Sequence, residues 1–155
     1  MLSVTERNIW AELVVDVLVL FYFVPRAWRI LQLDADDMYS RMGSLVGYTI
    51  GVAIVSTIAL AIVMAVIFGE GEAEAKDERD VKFALRSYCF AYYTLIALVV
   101  MIIGQAALES LFSDYMPDVS LLQNPSALVT ALLLAVSLAS IVQCSILLFH
   151  YRRGY

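Results

Sequence analysis

The stretch MGSLVGYTIGVAIVSTIALAIVMAVIFG, residues 42–69, contains no charged side chain. Coiled as a helix at 1.5 Å per residue it is about 40 Å long, and about 20 mostly apolar residues suffice to cross a hydrocarbon core of about 30 Å. In water, a helix apolar on every side would need a large protein to bury it. The 155 residues of this chain cannot supply that cover, because they are 62% hydrophobic and only 16% charged. Residues 42–69 therefore read as a membrane span.

Working outward, the same pattern repeats. Ser87–Leu108 and Val119–Phe149 are also free of charge, and Leu13–Phe23 is interrupted only by Asp16. The first run reaches spanning length only if it begins near Ile9 and accepts both Glu12 and Asp16. The expected fold is all-α: an integral membrane four-helix bundle forming one domain, with spans near residues 9–30, 43–69, 84–110 and 125–151. A mean hydropathy of +0.82 agrees with that class. Met1–Asn8 is nearly neutral and no small-residue cleavage site follows the first run, so that run is expected to stay as a span rather than leave as a signal peptide.

The net charge of −5 and a pI near 4.7 argue against a nucleic-acid partner, which calls for a basic face. Orientation follows from the lysines and arginines. Four spans put the N-terminus, the middle loop and the C-terminus on one side, with Arg7, Lys76, Arg79, Lys82, Arg86, Arg152 and Arg153. Arg26, Arg29 and Arg41 lie on the other. Both termini are expected to be cytoplasmic.

The segment Val24-Pro25-Arg26-Ala27-Trp28-Arg29 reads as a helix exit at the interface. Residues 28–37, with Trp28, Ile30, Leu31 and Leu33 followed by Asp34, Asp36 and Asp37, are expected to lie along the membrane surface. The same holds for Leu111, Phe112, Tyr115 and Met116, interleaved with Glu109, Asp114 and Asp118. Three carboxylates on each loop offer oxygen ligands to a divalent cation, but no Ca²⁺-loop spacing is present and solvated acidic loops are the simpler reading. Cys89 and Cys144 both fall within apolar runs and read as small buried side chains.

Two ridges of small residues mark packing faces. Gly43, Gly47 and Gly51 recur every fourth residue, as do Ala127, Ala131, Ala135 and Ala139. Residues four apart share one helix face, and small ones let backbones approach closely in lipid. Such ridges pack either within the bundle or between copies of it. Pro125, after Asn124, reads as the first residue of the fourth helix.

Glu12 and Asp16 are the sharpest functional signal. They lie one turn apart on the first span, and Asp16 falls about 10 Å beyond Ile9, inside the hydrocarbon. A carboxylate there costs about 2.5–3.5 kcal/mol on insertion scales, so it should face the bundle and have a partner. Arg86, His150, Gln143 and Cys144 are the candidates on the same side, with an ion pair to Arg86 as the structural reading. A proton- or cation-responsive site is the functional one, because a desolvated acid can titrate near neutrality. Gln105 lies nearer the opposite side and is expected to bond across helices.

Before the third span, Asp77-Glu78-Arg79-Asp80 places acids at a helix N-terminus, where Asp77 and Asp80 have the spacing of a capping box. Together with Phe83, Arg86 and Ala91-Tyr92-Tyr93, this motif resembles a group of small uncharacterised bacterial membrane proteins. Those are four-span proteins with Asp-Glu-Arg-Asp/Glu ahead of the third helix, usually with an aliphatic residue where this chain has Phe83. The resemblance covers about 20 residues and the span count. It implies a bacterial inner-membrane location and a cytoplasmic motif, and it carries no assigned reaction.

Three functions are consistent with these residues. The first is a non-enzymatic module that binds a membrane or cytoplasmic partner, a second copy of itself, or a lipid. Lys82, Arg86, Arg152 and Arg153 are candidates for an anionic headgroup, with topological anchoring the simpler role for the two terminal arginines. The second is a small oligomeric transporter or channel coupled to a proton or cation through Asp16. The third, an intramembrane enzyme, is the weakest, since no catalytic set stands at a recognisable spacing and a single histidine is present. No cofactor is expected.

Overall fold

The computed structural model describes residues 4–32, 35–68, 78–111 and 125–153. They form four helices: α1 (Val4–Ile30), α2 (Ala35–Phe68), α3 (Glu78–Leu111) and α4 (Pro125–Arg153). All four are long and apolar enough to cross a membrane. The protein is an all-α, multi-pass membrane four-helix bundle.

The helix bounds differ from the sequence reading where the interfaces were drawn. Pro25 does not end the first helix; α1 continues through it to Ile30. A proline removes one backbone N–H, but membrane helices tolerate it because neighbouring groups and side chains re-satisfy the local backbone. Here Phe23 and Ala27 are both buried on either side of Pro25, which draws the helix onward. The Arg26 side chain also folds back and donates from Nη1 to the Tyr22 carbonyl at 3.1 Å. The expected surface segment over residues 28–37 is largely helical instead: α1 runs to Ile30, a turn follows at Leu31 and Gln32, and α2 starts at Ala35, while Leu33 and Asp34 lie outside the described residues. The helical start of α2 is set by packing, since Met38 and Met42 are buried. α4 begins at Pro125, as its sequence suggests. Glu109 and Leu111, expected in a surface segment, belong to α3, and Glu109 is buried. The rest of that segment, with Phe112, Asp114, Tyr115, Met116 and Asp118, and the cap residue Asp77 lie outside the described residues.

Helix order in space follows from which helices carry two packing faces. α1 lies between α2 and α4, and α4 lies between α1 and α3, with a smaller contact between α2 and α4. Among the described residues α3 packs on α4 alone, and α2 and α3 do not meet. The ring of four is therefore open between α2 and α3.

The buried stripes account for this. On α3, Phe83, Ser87 and Ala91 are buried at four-residue spacing, a single face for one neighbour. On α4, Cys144 and Leu148 pack with Ile9 of α1. Ala135 and Ala139 are buried on a different side of that helix, about half a turn round from Cys144 and Leu148. The alanine ridge is thus spent inside the bundle, while the remaining helix surfaces are apolar and outward. Phe21 is 76% exposed and Val66 78%. In lipid such surfaces carry no penalty, since acyl chains are as apolar as leucine.

Candidate functional site

The seam between α1 and α4 is built from residues in antiparallel register. Ile9 meets Leu148 near one end, and Phe23 packs near Leu133 toward the other. Ile9, Asp16 and Phe23 are seven apart, so all three lie on nearly one line of α1. Asp16 therefore sits in the seam itself, half-buried among apolar neighbours.

Its partner is Ser140 of α4, whose hydroxyl Oγ donates to Asp16 Oδ2 at 2.5 Å. This is a charge-assisted geometry when the carboxylate is ionised, and such hydrogen bonds are short and strong. Glu12, one turn toward the N-terminus, is exposed at the edge of the seam. Cys144, one turn along α4 from Ser140, is buried in the core cluster with Ile9 and Leu148. The seam thus joins Glu12, Asp16, Ser140 and Cys144.

Of the other expected members, Arg86 and His150 lie elsewhere. Arg86 is exposed on α3, which does not reach α1 among the described residues, so the expected pairing with Glu12 or Asp16 is not formed. The physical reason is the row-like helix order, which interposes α4 between α1 and α3. Gln143 is half-buried on α4, about one turn along from Ser140 on nearly the same face. His150 packs its ring against Phe83 of α3 at 5.3 Å, and its Nδ1 lies 2.8 Å from the Ile146 carbonyl. Gln105 is exposed. Cys89 is exposed as well, contrary to the buried reading, because it points outward from the face opposite α4; Cys144 is buried, and neither forms a disulfide. Among the described residues no three His, Cys, Asp or Glu side chains converge as metal ligands.

Sequence reasoning missed Ser140. Serine is common on this helix, and only the register between α1 and α4 distinguishes position 140 from Ser137 or Ser145.

A second cluster ties three helix ends together. Phe83 of α3 is buried and flanked by His150 and by Tyr151, the latter edge-on at 5.9 Å. Tyr151 donates its hydroxyl to Asp80 Oδ1 at 2.9 Å, so the last residue of the Asp-Glu-Arg-Asp motif fastens α3 to α4. Arg152 lies over the Trp10 ring of α1 at 5.4 Å, and Arg153 over Phe149 at 4.5 Å. Glu78 and Arg79 are exposed on the first turn of α3, and Lys82, Arg86, Arg152 and Arg153 are exposed at the same end.

The glycine ridge of α2 has a different fate from the alanine ridge. The buried line of α2 is Met38, Met42, Leu45 and Thr49. Gly43, Gly47 and Gly51 lie about half a turn round from it, and a methyl group built on any of them would meet nothing within 4 Å. The close approach that glycine permits is not used within the bundle.

Comparison with protein-family models, with curated proteins and with solved structures finds no match, so the chemistry of the seam, the motif and the glycine face has to be read from their own geometry.

Proposed function

We propose that this protein is a non-enzymatic interaction module of the bacterial inner membrane, with both termini cytoplasmic, that associates with a second copy of itself through α2. One observation carries the reading: the stripe of Gly43, Gly47 and Gly51, where a methyl group added at any of the three would meet nothing within 4 Å among the described residues. Helix pairs in lipid are held by close packing rather than by the hydrophobic effect, so a three-glycine stripe is useful only where another helix comes close. A second copy presents the same flat stripe, and a two-fold axis places the two in contact with themselves. The motif that resembles small bacterial membrane proteins supports the location, and the excess of basic residues on the side shared by the termini and the middle loop supports the orientation.

Gly47→Leu tests this. Self-association measured by native mass spectrometry or by single-molecule photobleaching in liposomes should fall, with helicity unchanged because the fold leaves the position open. A wild type that is monomeric at all lipid dilutions would overturn the reading.

The Asp16–Ser140 contact, with Glu12 one turn away, favours a second reading as a proton- or cation-coupled carrier. In that case Asp16→Asn should fold normally and abolish flux in liposomes. Equal flux from both proteins, or none from either, removes this alternative.

A further inference from the structure

A cleft of about 150 Å³ runs between α1 and α2, open to the surrounding lipid. Its walls are Val15, Leu18, Val19 and Tyr22 on α1, and Thr49, Val52 and Ser56 on α2. The α1 residues recur at three- and four-residue steps along about 10 Å of helix. The antiparallel α2 residues match them, with position 49 beside Tyr22 and position 56 beside Val15. The lining is almost entirely apolar, and the Thr49 hydroxyl is already spent on the Leu45 carbonyl at 2.7 Å. Apolar cavities of this size admit hydrocarbon rather than water.

At the Tyr22 end the chemistry changes. Tyr22 and Tyr48 bring their rings to 5.9 Å across the two helices, which narrows the gap there. Arg26, one turn further on and exposed, lays its guanidinium 3.7 Å from the centre of the Tyr22 ring. It stands one turn before the end of α1 at Ile30, the depth of the headgroups, with the cleft descending from it into the hydrocarbon. Exposed Trp28, an interfacial residue type, marks the same level.

We propose that this cleft holds a segment of one acyl chain of an anionic phospholipid, with Arg26 binding its phosphate. An apolar slot of helix-parallel direction fits an acyl chain. A cation fixed at its mouth by a tyrosine ring fits a phosphodiester, for which the guanidinium fork is well shaped. The site lies at the membrane boundary opposite the Arg152–Arg153 end and on the α1-facing side of α2. It is therefore independent of the outward glycine face.

The test is native mass spectrometry of the detergent-purified chain titrated with phosphatidylglycerol and with phosphatidylcholine of the same acyl chains. Wild type should retain one phosphatidylglycerol in preference to phosphatidylcholine. Arg26→Gln should weaken phosphatidylglycerol binding about tenfold, the loss of one charge-assisted contact, and weaken phosphatidylcholine less, because the choline ammonium already offsets the charge of that phosphate. Val52→Trp, which fills the cleft from a partly exposed position, should weaken both lipids. Where Val52→Trp excludes the lipid altogether, Arg26→Gln in that background has no binding left to lower. Unchanged phosphatidylglycerol binding in Arg26→Gln, or wild-type retention of phosphatidylglycerol by a folded Val52→Trp, would overturn the proposal. Arg26 is exposed, so its variant decides the matter even if Val52→Trp does not fold; circular dichroism checks both.

Discussion

Ser140→Ala should be destabilising only while Asp16 is present. In the folded chain the Ser140 hydroxyl donates to Asp16 Oδ2 at 2.5 Å, and both residues are half-buried in the α1–α4 seam. Interhelical hydrogen bonds in membranes contribute about 0.6 kcal/mol on average and up to about 1.7 kcal/mol. This one is short and involves a carboxylate, which places it toward the upper end. Removing the hydroxyl also leaves the Asp16 oxygen without its donor, a penalty of about 1–3 kcal/mol where no water replaces it. Asp16 is only half-buried, so the lower part of that range applies, and the loss for Ser140→Ala is about 1–2 kcal/mol. In an Asp16→Leu background the same substitution removes a hydroxyl that has lost its acceptor, and its effect should fall within about 0.5 kcal/mol of zero. The difference between the two backgrounds is the coupling energy of the pair. It can be measured by titrating the four proteins from mild detergent into SDS and following helicity and tryptophan fluorescence. A coupling energy indistinguishable from zero would falsify the assignment of Ser140 as the partner of Asp16. Asp16→Leu alone adds a second check. It exchanges a costly intramembrane carboxylate for an apolar side chain, so it should be no less stable than Ser140→Ala.

Three further outcomes follow from the α3–α4 interface and the cysteines. Phe83→Ala should cost about 1–3 kcal/mol in the same titration. That is less than the 3–5 kcal/mol of a water-soluble core, because lipid replaces the lost burial and only packing against His150 and Tyr151 is forfeited. A loss below 0.5 kcal/mol would mean that Phe83 does not anchor α3. Tyr151→Phe, which removes the hydroxyl bound to Asp80, should cost about 1 kcal/mol, and Asp80→Ala should cost no more in the Tyr151→Phe background. Cys89 should react with a membrane-permeant maleimide in the folded protein, whereas Cys144 should react only after SDS unfolding; equal labelling of both would contradict the seam.

The candidate site was half legible in the sequence. Glu12 and Asp16 stand out because a carboxylate inside an apolar run has to be explained, and their four-residue spacing shows that they share a face. Arg86 and His150 were grouped with them by depth alone. Depth follows from counting residues along a span at a fixed rise, but it says nothing of which helices are neighbours. Pro25 was misread for a related reason. Its local preference is to end a helix, and the buried pair Phe23 and Ala27 overrides that preference through contacts made with other helices.

The two small-residue ridges show where the division lies. Both are plain in the sequence, and both announce a close helix contact by the same four-residue spacing. The tertiary structure places the alanine ridge inside, with Ala135 and Ala139 buried, and leaves space at the glycine ridge, where an added methyl group would meet nothing within 4 Å among the described residues. The sequence by itself determined the membrane class, the four helices and the faces on which they can pack. Those follow from local quantities: the transfer cost of each side chain, the rise per residue and the period of the helix. Only the tertiary structure decided that α4 stands between α1 and α3, that Ser140 and not Arg86 meets Asp16, and which ridge stays open. In lipid, apolar faces do not select one another by hydrophobicity, so helix order depends on the detailed fit of surfaces that are distant in the chain.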